Sequence, residues 1–305
     1  MSYVTIDDGS RLRLVNWPKV SPERSREGRV GVLLLHGLSQ QARFWGPVAS
    51  RVRVHPIAAV DQRCHGFSEV AADADVSIDR CARDALAAIS SLGWQQAIVV
   101  GHSWGASVAL RACAAAPDLV AAAVLLDGGL WRLSGERAEL RERLRPPDLG
   151  IAPEELRRLI EESSAIAWDD ERRAALADTY VVDDHGLART RIGVQRHMRV
   201  LDGLLDYDPT SDLRAASDRL WPVMCEPTAS SEPPAKEPAP LDPWSAARAA
   251  AVQRATGLPG IRLQRWQGAV HDVPLQWPDL VAGLIDTVHA STVHKGRALG
   301  QDGGT

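Results

Sequence analysis

The chain has 305 residues, enough for one large α/β domain, or one domain carrying an insertion, whose core needs no disulfide or metal. A formal net charge of -4 and a pI near 6.1 give no basic excess, so we expect no nucleic-acid or membrane partner and take a small molecule as the default ligand. The 4 cysteines are far apart and form no C-x-x-C pair. This spacing argues against a zinc site and a disulfide framework and favours reduced, buried thiols.

The first residues give no sign of a targeting signal. "MSYVTIDDGS" is acidic and mixed, whereas a secretory signal is basic and then apolar. No stretch of the sequence is as long and apolar as a transmembrane helix. We therefore expect a soluble, cytoplasmic protein.

The first predicted elements alternate between strands and a helix. Residues 3–6 and 11–17 alternate apolar and polar side chains around Asp8-Gly9, which predicts an antiparallel hairpin at a sheet edge. "RVGVLLLHG" is a continuous apolar run, typical of a strand buried on both faces of a parallel sheet, and "RVHPIAAV" predicts another strand. "VSIDRCARDALAAISSLGW" has helical periodicity, with Ser77 as the N-cap and Gly93 as the stop.

The segment "VVGHSWGAS" places a serine between two glycines, after an apolar run and before an Ala-rich run. A G-x-S-x-G turn between strand and helix holds its serine in a strained backbone conformation, while Gly101 and Gly105 let strand and helix approach closely. The helix start also directs free N–H groups toward the serine oxygen. The pattern favours Ser103 as a nucleophile; the alternative is a small-residue turn that contains serine by chance.

The elements that follow predict a mostly parallel sheet with an insertion. "AAAVLLDGG" is a further strand, and the strand-helix alternation implies right-handed crossovers. Residues 131–218 are rich in Arg, Glu and Leu, with patterns such as "PEELRRLI", and predict a helical layer without a buried strand. A strand at "RLWPVMC" precedes a Pro-rich loop, a helix, a last strand at "IRLQRW" and the closing helix "LVAGLIDTVHA". We expect residues 291–305 to form a disordered tail.

A serine nucleophile needs a base, and His271 is the best-placed histidine. It lies in "WQGAVHDVPLQWPDL", between the last predicted strand and the last helix, on a loop at the same sheet edge. The unperturbed pKa of histidine suits proton transfer near neutral pH. In "LLLHGLSQ", the backbone N–H of Leu38 could join that of Trp104 in binding an oxyanion, with His36 orienting this loop.

Four motifs in this order resemble the α/β-hydrolase family over nearly the whole chain. They are "LLLHG", "DQRCHGFS" where relatives usually carry D-x-R-G-x-G-x-S, "GHSWGA", and "GAVHDVPLQWP", similar to G-H-x-x-x-x-E-x-P. The resemblance implies a mostly parallel central sheet flanked by helices, a core of residues 1–130 and 219–290, and a helical cap of residues 131–218. It also implies Ser103 as nucleophile, His271 as base, and Leu38 with Trp104 as oxyanion donors.

Two carboxylates are candidates for the acid that would complete a catalytic triad with Ser103 and His271. Most relatives place an aspartate in G-x-x-D after the strand that here reads "PVMC", but this chain continues "EPTASSEPPAKEP". Asp127 in "LLDGG" ends the preceding strand, and Glu226 directly follows Cys225. The two glycines after Asp127 can let the chain curl inward and favour it, with Glu226 as the alternative.

A serine in this turn disfavours mechanisms that need a carboxylate nucleophile. We predict hydrolysis of a small carboxylic ester, thioester or lactone through an acyl-enzyme, without metal or organic cofactor. The alternatives are C–C bond hydrolysis or peptidase action by the same residues, and a non-catalytic binding protein on the same fold. His36, Trp131, Trp168 and His197 are predicted to line a pocket for an apolar or weakly polar substrate; the sequence predicts no oligomeric state.

Overall fold

The computed structural model describes residues 2–17, 30–132, 137–147, 149–162, 166–227 and 243–301. Almost all of the predicted Pro-rich loop after Glu226 lies outside these ranges. Within them, no helix is both long and apolar enough to cross a lipid bilayer.

An 8-stranded sheet forms the centre of the fold, in the order β1-β2-β4-β3-β5-β6-β9-β10. The strands β1 and β2 pair antiparallel with each other, β2 pairs antiparallel with β4, and all later pairs are parallel. The strand bounds are Ser2–Thr5 (β1), Arg11–Asn16 (β2), Val30–Leu35 (β3), Ile57–Val60 (β4), Gln96–His102 (β5), Val120–Leu126 (β6), Leu220–Glu226 (β9) and Gln264–Gln267 (β10). The predicted edge hairpin and parallel centre are confirmed.

Helices cover both faces of the sheet because the central strands are apolar on both sides. One face packs against α2, α3, α8 and α9, and the other against α1, α10 and α11. These helices span Gly46–Ala49 (α1), Ile78–Ser91 (α2), Trp104–Ala115 (α3), Thr210–Ala216 (α8), Pro243–Thr256 (α9), Val273–Gln276 (α10) and Pro278–Gln301 (α11). Short 3₁₀ turns occupy Ala42–Trp45 and Ser217–Arg219.

The predicted limits of α2 agree with the structure. The Ser77 hydroxyl accepts a hydrogen bond from the Arg80 N–H at 3.2 Å and caps the helix, while Gly93, with φ +69°, lies just beyond its end. A side-chain acceptor at the start and a left-handed glycine after the end are the usual signals of a helix boundary. All 4 cysteines are buried and free, as predicted.

The inserted segment contains helices and a small hairpin that the sequence pattern does not reveal. Its elements are α4 (Arg137–Arg143), α5 (Pro153–Glu162), α6 (Asp170–Ala177), β7 (Tyr180–Val182), β8 (Ala188–Thr190) and α7 (Gly193–Asp206). The strands β7 and β8 pair only with each other, and each is 3 residues long, too short for a clear alternating pattern. An entirely helical insertion is therefore the wrong description.

Two predicted boundaries also need correction. Helix α8 lies within the predicted cap range of 131–218, yet Leu213 and Ala216 are buried in the core beside α3. The closing helix continues to Gln301, so a disordered tail from Ser291 is wrong for residues 291–301; residues 302–305 lie outside the described part. The helix has no proline after Pro278 and its glycines are isolated, so nothing in the local sequence stops it earlier.

Candidate active site

Ser103 lies at a sharp turn between β5 and α3. Its backbone has φ +54° and ψ -119°, a conformation that L-residues rarely adopt and that places the side chain above the sheet edge. A Cβ atom added to Gly101 would lie 2.2 Å from the Gly105 carbonyl oxygen, and one added to Gly105 would lie 2.5 Å from the Leu35 carbonyl oxygen. Both positions therefore require glycine, as the sequence pattern predicts.

The structure brings Ser103, His271 and Asp127 into one hydrogen-bonded chain. The Ser103 Oγ lies 3.0 Å from His271 Nε2, and His271 Nδ1 lies 2.7 Å from Asp127 Oδ2. A carboxylate can only accept, so the proton of a neutral imidazole lies on Nδ1 and leaves Nε2 free to accept the serine proton. The arrangement can activate the Ser103 hydroxyl as a nucleophile.

Asp127 is fully buried and tightly held at the end of β6. Its φ of +44° turns the chain inward, and its Oδ1 accepts a hydrogen bond from the Cys225 N–H at 3.1 Å. A Cβ atom added to Gly128 would lie 2.1 Å from the Ser103 carbonyl oxygen. The glycine after Asp127 thus permits the close approach of the two turns, which is the reason the sequence favours this aspartate.

Glu226, the alternative acid, lies elsewhere. Its carboxylate accepts hydrogen bonds from Arg265 and Gln267 on the neighbouring strand β10. Glu226 is the last residue of β9, and its pairing across the strands turns its carboxylate toward β10. Among the described residues, Asp127 is the carboxylate hydrogen-bonded to His271.

Three neighbouring charges act on the His271 imidazole, two carboxylates and one guanidinium, in opposite directions. Desolvation by the surrounding protein disfavours its charged form, but the hydrogen bond and charge of Asp127, with help from Asp272, outweigh this cost and raise the pKa of His271. The Arg248 guanidinium, whose Nη2 lies 3.7 Å from Asp127 Oδ2, opposes the increase in that pKa. The base is therefore more readily protonated than a free histidine.

The predicted oxyanion donors flank the serine. Trp104 is the first residue of α3, so its N–H has no partner within the helix. The loop that carries Leu38, residues 36–41, packs against the nucleophile: a Cβ atom added to Gly37 would lie 3.2 Å from Ser103 Cβ. Among the hydrogen bonds between described residues, none is donated by the backbone N–H of Leu38 or of Trp104. This agrees with their predicted role as donors to an oxyanion.

Two of the predicted pocket residues, His36 and His197, are buried and in contact with polar groups of the protein. His36 is 0% exposed, and its Nε2 accepts a hydrogen bond from the Gln62 N–H at 3.0 Å. Burial lowers the pKa of His36 to about 3, so this ring stays neutral and fixes the loop from behind. His36 therefore does not line a pocket. His197 on α7 is also buried, with Nδ1 2.7 Å from Ser39 Oγ, so it joins the inserted segment to the loop of residues 36–41.

The two predicted pocket tryptophans are partly buried. Trp168 lines a cavity of about 270 Å³ formed by α5, α6 and Tyr180. Trp131 lies under the Arg248 guanidinium, 5.7 Å from the ring centre, and so near the Asp127 side of the triad. Contact of either ring with a substrate stays a prediction.

Cys64, which replaces a glycine of the family motif, adopts φ +69°. The cysteine thus holds a left-handed backbone conformation of the kind that glycine adopts most readily. Its thiol is buried, which raises the pKa of Cys64. Among the described residues, no group of His, Cys, Asp or Glu side chains is arranged to hold a metal ion.

Sequence reasoning missed three residues around the triad. Gln40 and His102 contact the loop that carries His271, and Arg248 approaches Asp127 from α9. Gln40 and His102 are close in sequence to recognisable motifs, so their location could have been anticipated. The direction of their side chains, and the position of Arg248 after the Pro-rich segment, depend on tertiary structure.

Comparisons with known proteins agree with this architecture. The sequence model of the alpha/beta hydrolase fold matches residues 31–177. The solved structure of E-2-(acetamidomethylene)succinate hydrolase superposes with a TM-score of 0.70 at 21% identity, over 95% of this chain and 98% of that one. The chain therefore has the α/β-hydrolase fold.

Two curated relatives are similar in sequence to part of this chain. Lipase LipV of Mycobacterium tuberculosis is 39% identical over 150 residues, which cover 47% of this chain and 53% of the lipase. N-formylmaleamate deformylase of Pseudomonas putida is 29% identical over 154 residues, which cover 48% of this chain and 55% of the deformylase. The chain thus matches about half the length of each of these relatives.

Proposed function

We propose that the protein is a serine hydrolase that cleaves a small carboxylic ester, thioester or lactone. The observation that carries this proposal is the hydrogen-bonded chain from Asp127 through His271 to Ser103, with Ser103 held in a strained turn. Such a chain supplies a nucleophile, a base and a group that orients the base. The names of the relatives, which include a lipase and an esterase, support the same class.

The proposed reaction has two halves. Ser103 Oγ attacks the carbonyl carbon while His271 Nε2 takes the hydroxyl proton, and the N–H groups of Leu38 and Trp104 stabilise the oxyanion. The tetrahedral intermediate collapses, the C–O or C–S bond breaks, and His271 returns the proton to the leaving group. Water then attacks the acyl-enzyme by the same route and releases the carboxylic acid.

Cleavage of a small amide is a second candidate, because some relatives carry names of that chemistry. They include N-formylmaleamate deformylase and 2-(acetamidomethylene)succinate hydrolase. The same residues serve both reactions, but an amide nitrogen leaves only after protonation, so the donor role of His271 matters more. C–C bond hydrolysis and non-catalytic ligand binding remain alternatives for which we find no specific support in the site.

Hydrolysis of a panel of small substrates tests the proposal. The panel contains short and medium p-nitrophenyl esters, a thioester, a lactone and an N-formyl amide, assayed with the wild type and with Ser103→Ala. We expect ester or thioester turnover that Ser103→Ala abolishes while the variant stays folded. Preference for the amide would select the second candidate. No turnover of any substrate, with no reaction of Ser103 with a fluorophosphonate, would favour a binding protein.

A further inference from the structure

Gln40 connects the two irregular loops on either side of the nucleophile. Its Oε1 accepts a hydrogen bond from the Gly37 N–H at 2.8 Å, and its Nε2 donates to Asp272 Oδ1 at 2.9 Å. Gly37 immediately precedes the predicted oxyanion donor Leu38, and Asp272 immediately follows His271. One amide side chain therefore spans the gap between the oxyanion loop and the base.

His102 adds a second connection to the same loop. Its Nε2 donates to the backbone carbonyl of His271 at 2.8 Å, because a carbonyl oxygen can only accept. The ring is 0% exposed and stacks on Phe44, with the ring centres 5.3 Å apart. Its Nδ1 lies 3.1 Å from Gln40 Oε1; with the ring proton on Nε2 both atoms are acceptors, so His102 and Gln40 are in packing contact without a hydrogen bond between them.

These contacts matter because both loops lie beyond the ends of their strands; the second loop is joined to the sheet at its start, where the Gly268 N–H donates to the Glu226 carbonyl at 2.8 Å. Residues 36–41 follow the end of β3, and residues 268–272 follow the end of β10. The Ser103–His271 distance of 3.0 Å and the position of the Leu38 N–H must both be kept for the reaction, and small displacements of reacting groups cost up to about 10²-fold in rate.

We propose that Gln40 is a positioning residue that keeps the oxyanion loop and the His271 loop in register. This inference rests on the proposed function, because it assigns Gln40 a role in the same site. An amide is suited to this role, since its oxygen accepts from Gly37 while its nitrogen donates to the Asp272 carboxylate. A carboxylate at the same place would serve Gly37 but would repel Asp272.

The test is a rescue experiment. Gln40→Glu places two carboxylates in contact, so we expect kcat to fall about 10- to 100-fold with KM changed by less than about threefold. Adding Asp272→Asn to Gln40→Glu supplies a donor again, so kcat should return to within about threefold of Asp272→Asn alone. A merely destabilising change would instead lower the melting temperature together with kcat, so thermal unfolding of each variant separates loss of fold from loss of positioning.

Gln41→Glu is the matched control in the same loop. The Gln41 side chain bonds the Arg43 N–H at 2.6 Å and the Ala175 carbonyl at 2.8 Å, on the side of the inserted segment. Adding Asp272→Asn to Gln41→Glu should therefore give no rescue. If Gln40→Glu does not fold, Gln40→Met removes both hydrogen bonds without a charge, and the same selective loss of kcat is expected.

A second readout does not depend on turnover. The proton between His271 Nδ1 and Asp127 gives a low-field ¹H NMR resonance, which should shift or broaden in Gln40→Glu and return in the double variant. If the wild type hydrolyses none of the substrates, the proposed function fails. The NMR resonance is then the measurement that tests the role of Gln40. Wild-type kcat in Gln40→Glu, a double variant no better than the single one, or an unchanged resonance would each overturn the proposal.

Discussion

His271 Nδ1 and Asp127 Oδ2 lie 2.7 Å apart, which joins the loop after β10 to the end of β6. In the sheet order, β9 lies between these two strands, so the contact reaches across an intervening strand. Asp127 has a positive φ, and its Oδ1 accepts a hydrogen bond from the Cys225 N–H. Together these features direct its carboxylate over the end of β9. The carboxylate in contact with His271 thus comes from the end of β6, whereas most relatives place it after the following strand, which here is β9.

Replacement of this carboxylate should nearly abolish turnover. Asp127→Asn removes the charge and the preference for the Nδ1 proton, so kcat is expected to fall about 10³- to 10⁴-fold. Glu226→Gln is the matched control, because Glu226 pairs with Arg265 on the surface side of β9 and β10; kcat should stay within about threefold. Steady-state kinetics on one p-nitrophenyl ester compares them, and the reverse order of effects would exclude Asp127 as the triad acid.

The pH profile should report the balance of charges around His271. The base must be neutral to act, and its pKa is raised above the ordinary value of 6.5, so activity is lost as the pH falls through this raised pKa. We therefore expect the acid limb of kcat/KM to have its midpoint above pH 6.5. A midpoint below that of free histidine would contradict the geometry of the Asp127 contact.

Arg248→Gln should move the same limb further. The guanidinium lies 3.7 Å from Asp127 and opposes the charged form of His271, so its removal raises the pKa of His271 and shifts the limb to higher pH. Arg254→Gln on the same helix is the control, since Arg254 donates to the Leu130 carbonyl. Equal profiles for the wild type and both variants would show that Arg248 does not act on the triad.

Gly105→Ala should disturb the nucleophile turn. Its new Cβ would lie 2.5 Å from the backbone oxygens of Leu35 and His36, which no side-chain movement can relieve. We expect a loss of stability of about 1–3 kcal/mol and a clear loss of activity. Gly283→Ala in the exposed part of α11 meets no atom within 4 Å and should stabilise the protein by up to about 1 kcal/mol. Thermal unfolding of both variants, followed by ester hydrolysis, makes the comparison.

Much of the site could be predicted because its residues sit in local patterns. Ser103 lies in a turn that needs glycines at fixed spacing. In the structure, a Cβ atom added to Gly101 or Gly105 would lie 2.2 or 2.5 Å, respectively, from a backbone oxygen. His271 follows the last strand, so the chain order already places it at the correct edge of the sheet. Periodicity likewise predicts the hairpin β1–β2 and helix α2.

The remaining features depend on contacts between distant segments. Asp127 and Glu226 both end parallel strands, and only the inward turn at Asp127 decides which carboxylate meets His271. His36, predicted to line the pocket, is fully buried, and the sequence could not show that its Nε2 accepts the Gln62 N–H. The strands β7 and β8 bury few side chains, so they leave little trace in the hydrophobic pattern.

The central claim is that Ser103 is an activated nucleophile. The most direct measurement is the intact mass of the protein after reaction with a fluorophosphonate, with the modified peptide then identified. We predict one adduct per chain, on Ser103, that forms much more slowly in Asp127→Asn and is absent in Ser103→Ala. A wild type that stays unmodified, or an adduct on another residue, would contradict the account.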